Sequence, residues 1–383
     1  MHIAFLHDRY PFGGGEKVTA DIARGITEAD PSVQVTVIAS HIDRSQLPDT
    51  AGRISYRQLP DGCDLRHADG ADTLTGLLRR DATDVLVLPV DPPVTLLDNI
   101  RRSLPDCRLI FVLHGSPLWQ VRNKTAGNAF KAMREQLFHS YTRRYVSRYQ
   151  AIYKRVDCFA VLCESYRAAV ERILGLTPGD PSSRVMAMYN PVDTTALATA
   201  AATAKRREVL YVGRLSFADK RVDRLLRIWR QVEPSHPDWT LKLVGDGPDR
   251  SRLQQMADKL GLRNIRFCGH SANPAEHYAT ASILCLTSTF EGWPLVIAEA
   301  LASNVIPMAF NCSEGVNELI AKGGGLAIRP FDETEYATML SAIMDDTATT
   351  HGNNSRSFID SLSIAATAEK WLALFNRINT PTA

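Results

Sequence analysis

Short apolar runs alternate with longer amphipathic stretches along the whole chain, and this alternation limits what it can fold into. His2–Leu6, Val33–Ser40, Val85–Val90, Leu109–Leu113, Cys158–Leu162 and Val185–Met188 lack sustained polar alternation. Such runs suit strands covered by helices on both faces. Helical patterns such as Lys17–Ile26 and Glu164–Leu174 lie between them. Around 194–207 the pattern lapses into a low-complexity Thr/Ala stretch that reads as a linker. The alternation then restarts, with strands at Val209–Val212, Leu241–Val244, Ile265–Phe267, Ile283–Leu286 and Val305–Phe310. Helices are expected at Val222–Gln231, Arg250–Leu260, Leu295–Ser303 and Glu333–Met344. Two blocks of β-α order predict an α/β chain of two Rossmann-like, doubly wound domains, at 1–193 and 208–364.

The charge balance is nearly even, 44 Lys plus Arg against 42 Asp plus Glu, so a nucleic-acid partner is not expected. The seven cysteines form no C-x-x-C pair, which suits a reducing cytoplasm rather than a disulfide frame or zinc site. Met1–Leu6 runs directly into Asp8 and Arg9, so no signal peptide is visible, and no run is long enough to span a bilayer. Several cofactor motifs are excluded. Gly13-Gly14-Gly15 follows the first strand, but Val18 stands where a dinucleotide fingerprint needs its last glycine. There is no G-K-[ST], no D-x-D pair for a divalent metal, and Gly269-His270-Ser271-Ala272-Asn273 lacks the final glycine of a nucleophile elbow.

Ligands of doubly wound sheets sit beyond the carboxyl ends of the strands, and there the chain carries charge. Arg214 and Lys220 follow Val209–Val212, a placement suited to a diphosphate: a fork for two oxygens and a point charge. A solvated basic loop is the plain alternative. After Ile283–Leu286 comes Glu291, and Glu299 interrupts the small, apolar helix that follows. A carboxylate in that position must meet donors; a nearby arginine would suffice without any ligand. Gly292, Trp293 and Leu295 offer N–H groups at a helix start, whereas Pro294 offers none.

These residues resemble the retaining glycosyltransferase family 4, of GT-B fold, over nearly the full length of the chain. The E-x7-E motif is matched by Glu291 and Glu299, and V-G-R-L…K by Val212-Gly213-Arg214-Leu215 and Lys220. Gly245-Asp246-Gly247-Pro248, Phe267-Cys268-Gly269, Gly13-Gly14-Gly15-Glu16 and Asn190-Pro191-Val192-Asp193 match four further elements in order. Arg221, Asn304 and Pro191 depart from the family, which usually has glycine at each. The resemblance implies two domains facing a central cleft, and a hexose transferred with retention from a nucleoside-diphosphate sugar, expected to be a UDP-sugar. It implies that Glu291 holds donor-sugar hydroxyls and Glu299 the ribose. Arg214 and Lys220 would hold the diphosphate without a metal, and the base would lie on Gly269-His270. His114, after Leu109–Leu113, would meet the donor near its reacting carbon, and Gly14 and Gly15 would approach the donor phosphate or the acceptor. A packed or capping role is the plain reading of His114. The acceptor would be a glycan or polyprenyl-linked, in cell-surface polysaccharide synthesis. An epimerase or a non-catalytic nucleotide-sugar binder remain the competing readings.

Two segments carry expectations of their own. Arg122–Asp157 holds nine basic and two acidic residues, with Phe130, Met133, Leu137, Tyr141, Tyr145 and Tyr149 at helical spacing. It reads either as a long helix packed on the sheet or as a peripheral contact with the inner face of the membrane. In the segment 365–383, Ala366, Trp371, Leu374, Phe375 and Ile378 share one helical face, which predicts a terminal helix crossing back onto the first domain.

Overall fold

A computed structural model describes residues 1–11, 13–47, 52–125, 129–201, 203–346 and 355–380. The chain divides into two compact units, Met1–Pro191 with Ile364–Ala383, and Val192–Ser363.

The first unit runs β1 (His2–Tyr10), α1 (Gly14–Ala29), β2 (Gln34–Ile42), β3 (Ile54–Gln58), α2 (Ala68–Arg80), β4 (Val85–Leu88) and α3 (Val94–Ser103). It continues with β5 (Arg108–Leu113), α4 (Trp119–Thr125), α5 (Ala129–Phe138), α6 (Ser140–Tyr153), β6 (Cys158–Val161), α7 (Glu164–Leu174) and β7 (Val185–Ala187). The second unit runs α8 (Thr194–Ala201), β8 (Glu208–Val212), α9 (Val222–Val232), β9 (Thr240–Val244), α10 (Arg250–Leu260), β10 (Ile265–Gly269) and α11 (Ala275–Thr280). Then come β11 (Ile283–Leu286), α12 (Leu295–Ala302), β12 (Ile306–Phe310), α13 (Glu314–Gly323), β13 (Leu326–Ile328), α14 (Glu333–Asp345) and α15 (Arg356–Asp360). The last helix, α16 (Ile364–Asn379), belongs to the first unit; residues 381–383 of the expected terminal segment lie outside the described residues.

Both sheets are parallel throughout, ordered β3-β2-β1-β4-β5-β6-β7 and β10-β9-β8-β11-β12-β13. The strand order reverses between β1 and β4 in the first and between β8 and β11 in the second, and the crevice beyond such a reversal is where ligands enter. Every residue of β4, β6, β11 and β12 is buried, which is why these strands read as unbroken apolar runs.

Two sequence expectations are corrected. The supposed linker 194–207 contains α8, which packs on α11 and α12; its alanines, read as low complexity, are strong helix formers. Residue 202 lies outside the described residues. The long helix over 122–157 is instead three helices, broken where His139 takes a left-handed φ of 49°. Residues 126–128 of that segment lie outside the described residues.

Candidate functional site

In the second unit the loops after β8, β9 and β10 are locked side by side through their backbones. Gly213 N–H donates to Val244, Leu215 N–H to Asp246 (both 2.9 Å), and Gly245 N–H to Gly269 (2.7 Å). A Cβ on Gly245 would lie 2.0 Å from the Gly213 carbonyl oxygen, and one on Gly247 2.4 Å from that of Leu215. No side chain fits, so the Gly-Asp-Gly turn is needed for the close approach itself.

The loops after β8 and β11 meet in the same way at the switch point. Thr289 N–H donates to the Asp219 carbonyl (2.8 Å), and the Thr287 hydroxyl donates to that of Arg221 (3.1 Å). This joint brings Lys220 Nζ to 2.7 Å from Glu291 Oε1, which also accepts from the buried Ser288 hydroxyl at 2.6 Å. Glu291 is 9% exposed and Lys220 26%. Burying the carboxylate is tolerable because two donors meet one oxygen. Arg214 is 62% exposed, its Nη2 2.5 Å from Asp219 Oδ2. Desolvation would raise the Asp219 pKa, but the Ser216 hydroxyl and Arg214 outweigh it and hold it below the usual carboxylate range. Each cation keeps donors to spare, since an ammonium has three and a guanidinium five.

Gly292 and the buried Trp293 complete the turn into α12, which starts at Leu295. Glu299, on that helix, accepts from the Tyr278 hydroxyl of α11 at 2.9 Å. Burial and the neighbouring carboxylate push the Tyr278 phenol well above its ordinary value, so it stays a donor. Gly269 closes β10 beside the Arg250 guanidinium, and His270 is exposed. The departures at Arg221 and Asn304 are now explained: both take the left-handed conformation, φ 48° and 55°, that favours glycine. Arg221 is held there by a two-pronged contact on Asp223 at 2.9 and 3.0 Å.

His114, Gly14 and Gly15 belong to the first unit. His114 follows β5, and burial lowers its pKa to about 4. Sequence reasoning missed its neighbour His7, buried in β1, whose Nε2 is 3.0 Å from the Thr19 hydroxyl. Burial, with a smaller contribution from His114, holds His7 at about 3. Both imidazoles are therefore neutral in the folded state near neutral pH, while the unfolded chain protonates near 6.5. Their contribution to stability is present above about pH 6.5 and is lost as pH falls towards 4, because the unfolded state then binds more protons. Each imidazole should cost the first unit on the order of 2–3 kcal/mol over this window. A His7→Gln variant should lose visibly less in a pH series of thermal melts; equal losses would contradict the assignment.

Gly14 and Gly15 open α1, with nothing within 4 Å of a Cβ built on either. Neither has a positive φ, so the fold itself does not require glycine there. Gly15→Ala should leave the melting temperature unchanged or raise it, since alanine is favoured in a helix by about 0.5–1 kcal/mol. If a ligand approaches this backbone, the same change should lower turnover at least several-fold. A cleft of about 540 Å³ lies beyond the carboxyl ends of the first unit's strands, lined by Leu6, Asp8, Ser40, Asp64, Arg66 and Asp91 among others. Among the described residues no group of three or more His, Cys, Asp or Glu could hold a metal ion.

Sequence reasoning also missed Ser288, Asp219 and Tyr278, the partners of Glu291, Arg214 and Glu299. Ser288 alone carried a signal, lying three residues before Glu291 at the end of an apolar strand.

Among solved structures, HepE of Anabaena in complex with UDP and glucose superposes with a TM-score of 0.73 at 17% identity, over 98% of this chain and 99% of that one. At that identity the likeness shows the fold, the GT-B arrangement of two Rossmann-like parallel sheets. An uncharacterised glycosyltransferase of Haemophilus influenzae is 34% identical over 140 residues, 36% of this chain and 39% of that one. A Campylobacter jejuni alpha-1,4-N-acetyl-D-galactosaminyltransferase, named for a GalNAc-bearing diNAcBac-PP-undecaprenol, is 26% identical over 230 residues, 59% of this chain and 62% of that one. The first curated relatives are matched over only about a quarter to two fifths of their length. The family model described as Glycosyltransferase Family 4 matches residues 12–196, and that described as Glycosyl transferases group 1 matches 195–358. The chain belongs to glycosyltransferase family 4.

Proposed function

We propose that the chain transfers a hexose from a nucleoside-diphosphate sugar, a UDP-sugar by preference, to a hydroxyl of a glycan or lipid-linked acceptor. The observation that carries this reading is the Lys220–Glu291 pair at the β8/β11 switch point, with Arg214 exposed on the same loop. A diphosphate placed there meets the spare donors of both cations. Glu291 keeps its second oxygen for sugar hydroxyls, and the start of α12 adds partial positive charge. Glu299, held by Tyr278, offers an oxygen to the ribose.

In the reaction the C1–O bond to the diphosphate breaks and a bond from C1 to the acceptor oxygen forms, while the acceptor's proton passes to the departing diphosphate. Charge grows on that leaving group, so Arg214 and Lys220 act most strongly in the transition state. Neutral His114 can accept or donate a hydrogen bond to a sugar hydroxyl. Retention and the roles of Gly269 and His270 rest on the family resemblance. HepE was solved with UDP and glucose, and the Campylobacter relative is named for a polyprenyl-linked glycan; both support the donor and acceptor classes. All seven cysteines are free thiols, which suits a cytoplasmic location.

Because two cations serve the diphosphate, turnover should survive excess EDTA in full. Loss of activity restored only by Mg²⁺ or Mn²⁺ would contradict this. Incubation of each candidate UDP-sugar without acceptor separates the alternatives: an epimerase brings it to an equilibrium mixture with its epimer, a transferase hydrolyses it slowly, and a binding protein leaves it intact.

A further inference from the structure

We propose that α5 is a lipid-binding element that lays the first unit on an anionic membrane surface. Five large hydrophobic side chains are strongly exposed among the described residues, and four of them lie on this helix of ten residues: Phe130 (67%), Met133 (51%), Leu137 (66%) and Phe138 (62%). Their spacing of three, four and one places them on a single face. The opposite face, towards the protein, carries Ala132 and the buried Glu135. The helix is therefore turned inside out relative to a packed amphipathic helix, with its bulky side chains presented to solvent.

The basic residues make the choice of partner. Lys131 and Arg134 are exposed beside the apolar stripe, Arg122 and Lys124 are exposed on α4, and Arg143 and Arg144 on α6. The only acidic side chain on these three helices is Glu135. It is spent internally, accepting from the N–H groups of Tyr141 and Thr142, both at 2.8 Å, at the start of α6. Desolvation would raise its pKa, but those N–H groups outweigh it and hold it near 2. The described part of this surface is thus apolar and rich in positive charge, with Glu135 turned inward, the pattern of a helix lying in the headgroup layer. Lysine and arginine stems can lie along the same apolar surface while their heads reach phosphate. Among the described residues no helix is long and apolar enough to cross a membrane, so the contact is peripheral. It would hold the first unit where a lipid-linked acceptor lies, but it does not depend on the reaction.

Flotation of the full chain with vesicles tests it. The chain should float with phosphatidylcholine vesicles containing phosphatidylglycerol at low salt, and several-fold less with phosphatidylcholine alone or at high salt. Phe130→Ser/Leu137→Ser should reduce the bound fraction roughly tenfold, and Lys131→Glu/Arg134→Glu comparably. Both should keep the wild-type melting temperature and donor turnover in solution, since the altered side chains are exposed; Phe138→Ser alone serves if a double variant misfolds. Failure of the wild type to bind anionic vesicles, or wild-type binding by the apolar variant, overturns the proposal. So does a wild-type dimer that Phe130→Ser/Leu137→Ser converts to monomer, which would assign the face to a second copy. Vesicle binding is read without the reaction, so its failure is distinct from failure of glycosyl transfer.

Discussion

Arg214→Ala and Lys220→Ala are each expected to lower kcat by roughly 30- to 1000-fold, the loss of about 2–4 kcal/mol typical of a removed donor to a developing anion. The structure separates the two variants in stability. Arg214 is mostly exposed and paired to the partly exposed Asp219, so its loss should cost less than about 1 kcal/mol of folding free energy. Lys220 neutralises a nearly buried carboxylate. Its removal leaves Glu291 with Ser288 as its remaining partner in that contact, and should cost on the order of 1–2 kcal/mol. The variants should therefore match in activity but not in melting temperature. Near-normal kcat in both would remove the basis for a diphosphate at this loop.

Trp371→Ala should give the largest loss of stability of any single change considered, about 3–5 kcal/mol, and the loss should fall on the first unit. Trp371, Leu374 and Phe375 of α16 are each 2% exposed or less, although the helix follows the whole of the second unit in sequence. Its seat on α1 is close: a Cβ on Gly25 would stand 2.8 Å from Ile364 Cγ2 and 2.9 Å from the Ala368 methyl. Deleting residues 365–383 should destabilise the first unit at least as much, seen as a lowered first transition in calorimetry. A truncated chain melting like the wild type would contradict the packing.

The fold was legible because buried parallel strands leave continuous apolar runs, and β4, β6, β11 and β12 are buried at every residue. The short β3 and β13 escaped notice because each has exposed or partly exposed positions and no such run. At the site, charged residues at strand ends stood out: Glu291, Arg214 and Lys220. Their partners did not, because Tyr278 meets Glu299 across 21 residues, and Lys220 meets Glu291 across 71. Only the fold makes such pairs. Segment 122–157 shows the opposite failure. Helical spacing ran on through His139, but the backbone turns there, so Tyr149 enters the core while Phe130 and Leu137 stay outside.

Calorimetric titration of UDP, GDP and ADP into the full chain, the Arg214→Ala variant and the Lys220→Ala variant, all in EDTA, tests the central claim most directly. One nucleoside diphosphate, expected to be UDP, should bind the wild type without metal, and each variant should bind it at least about tenfold more weakly, a loss of about 1.4 kcal/mol. No binding of any of the three to a folded wild type, or equal affinity in wild type and both variants, would show that the β8/β11 switch point is not a nucleotide-sugar site.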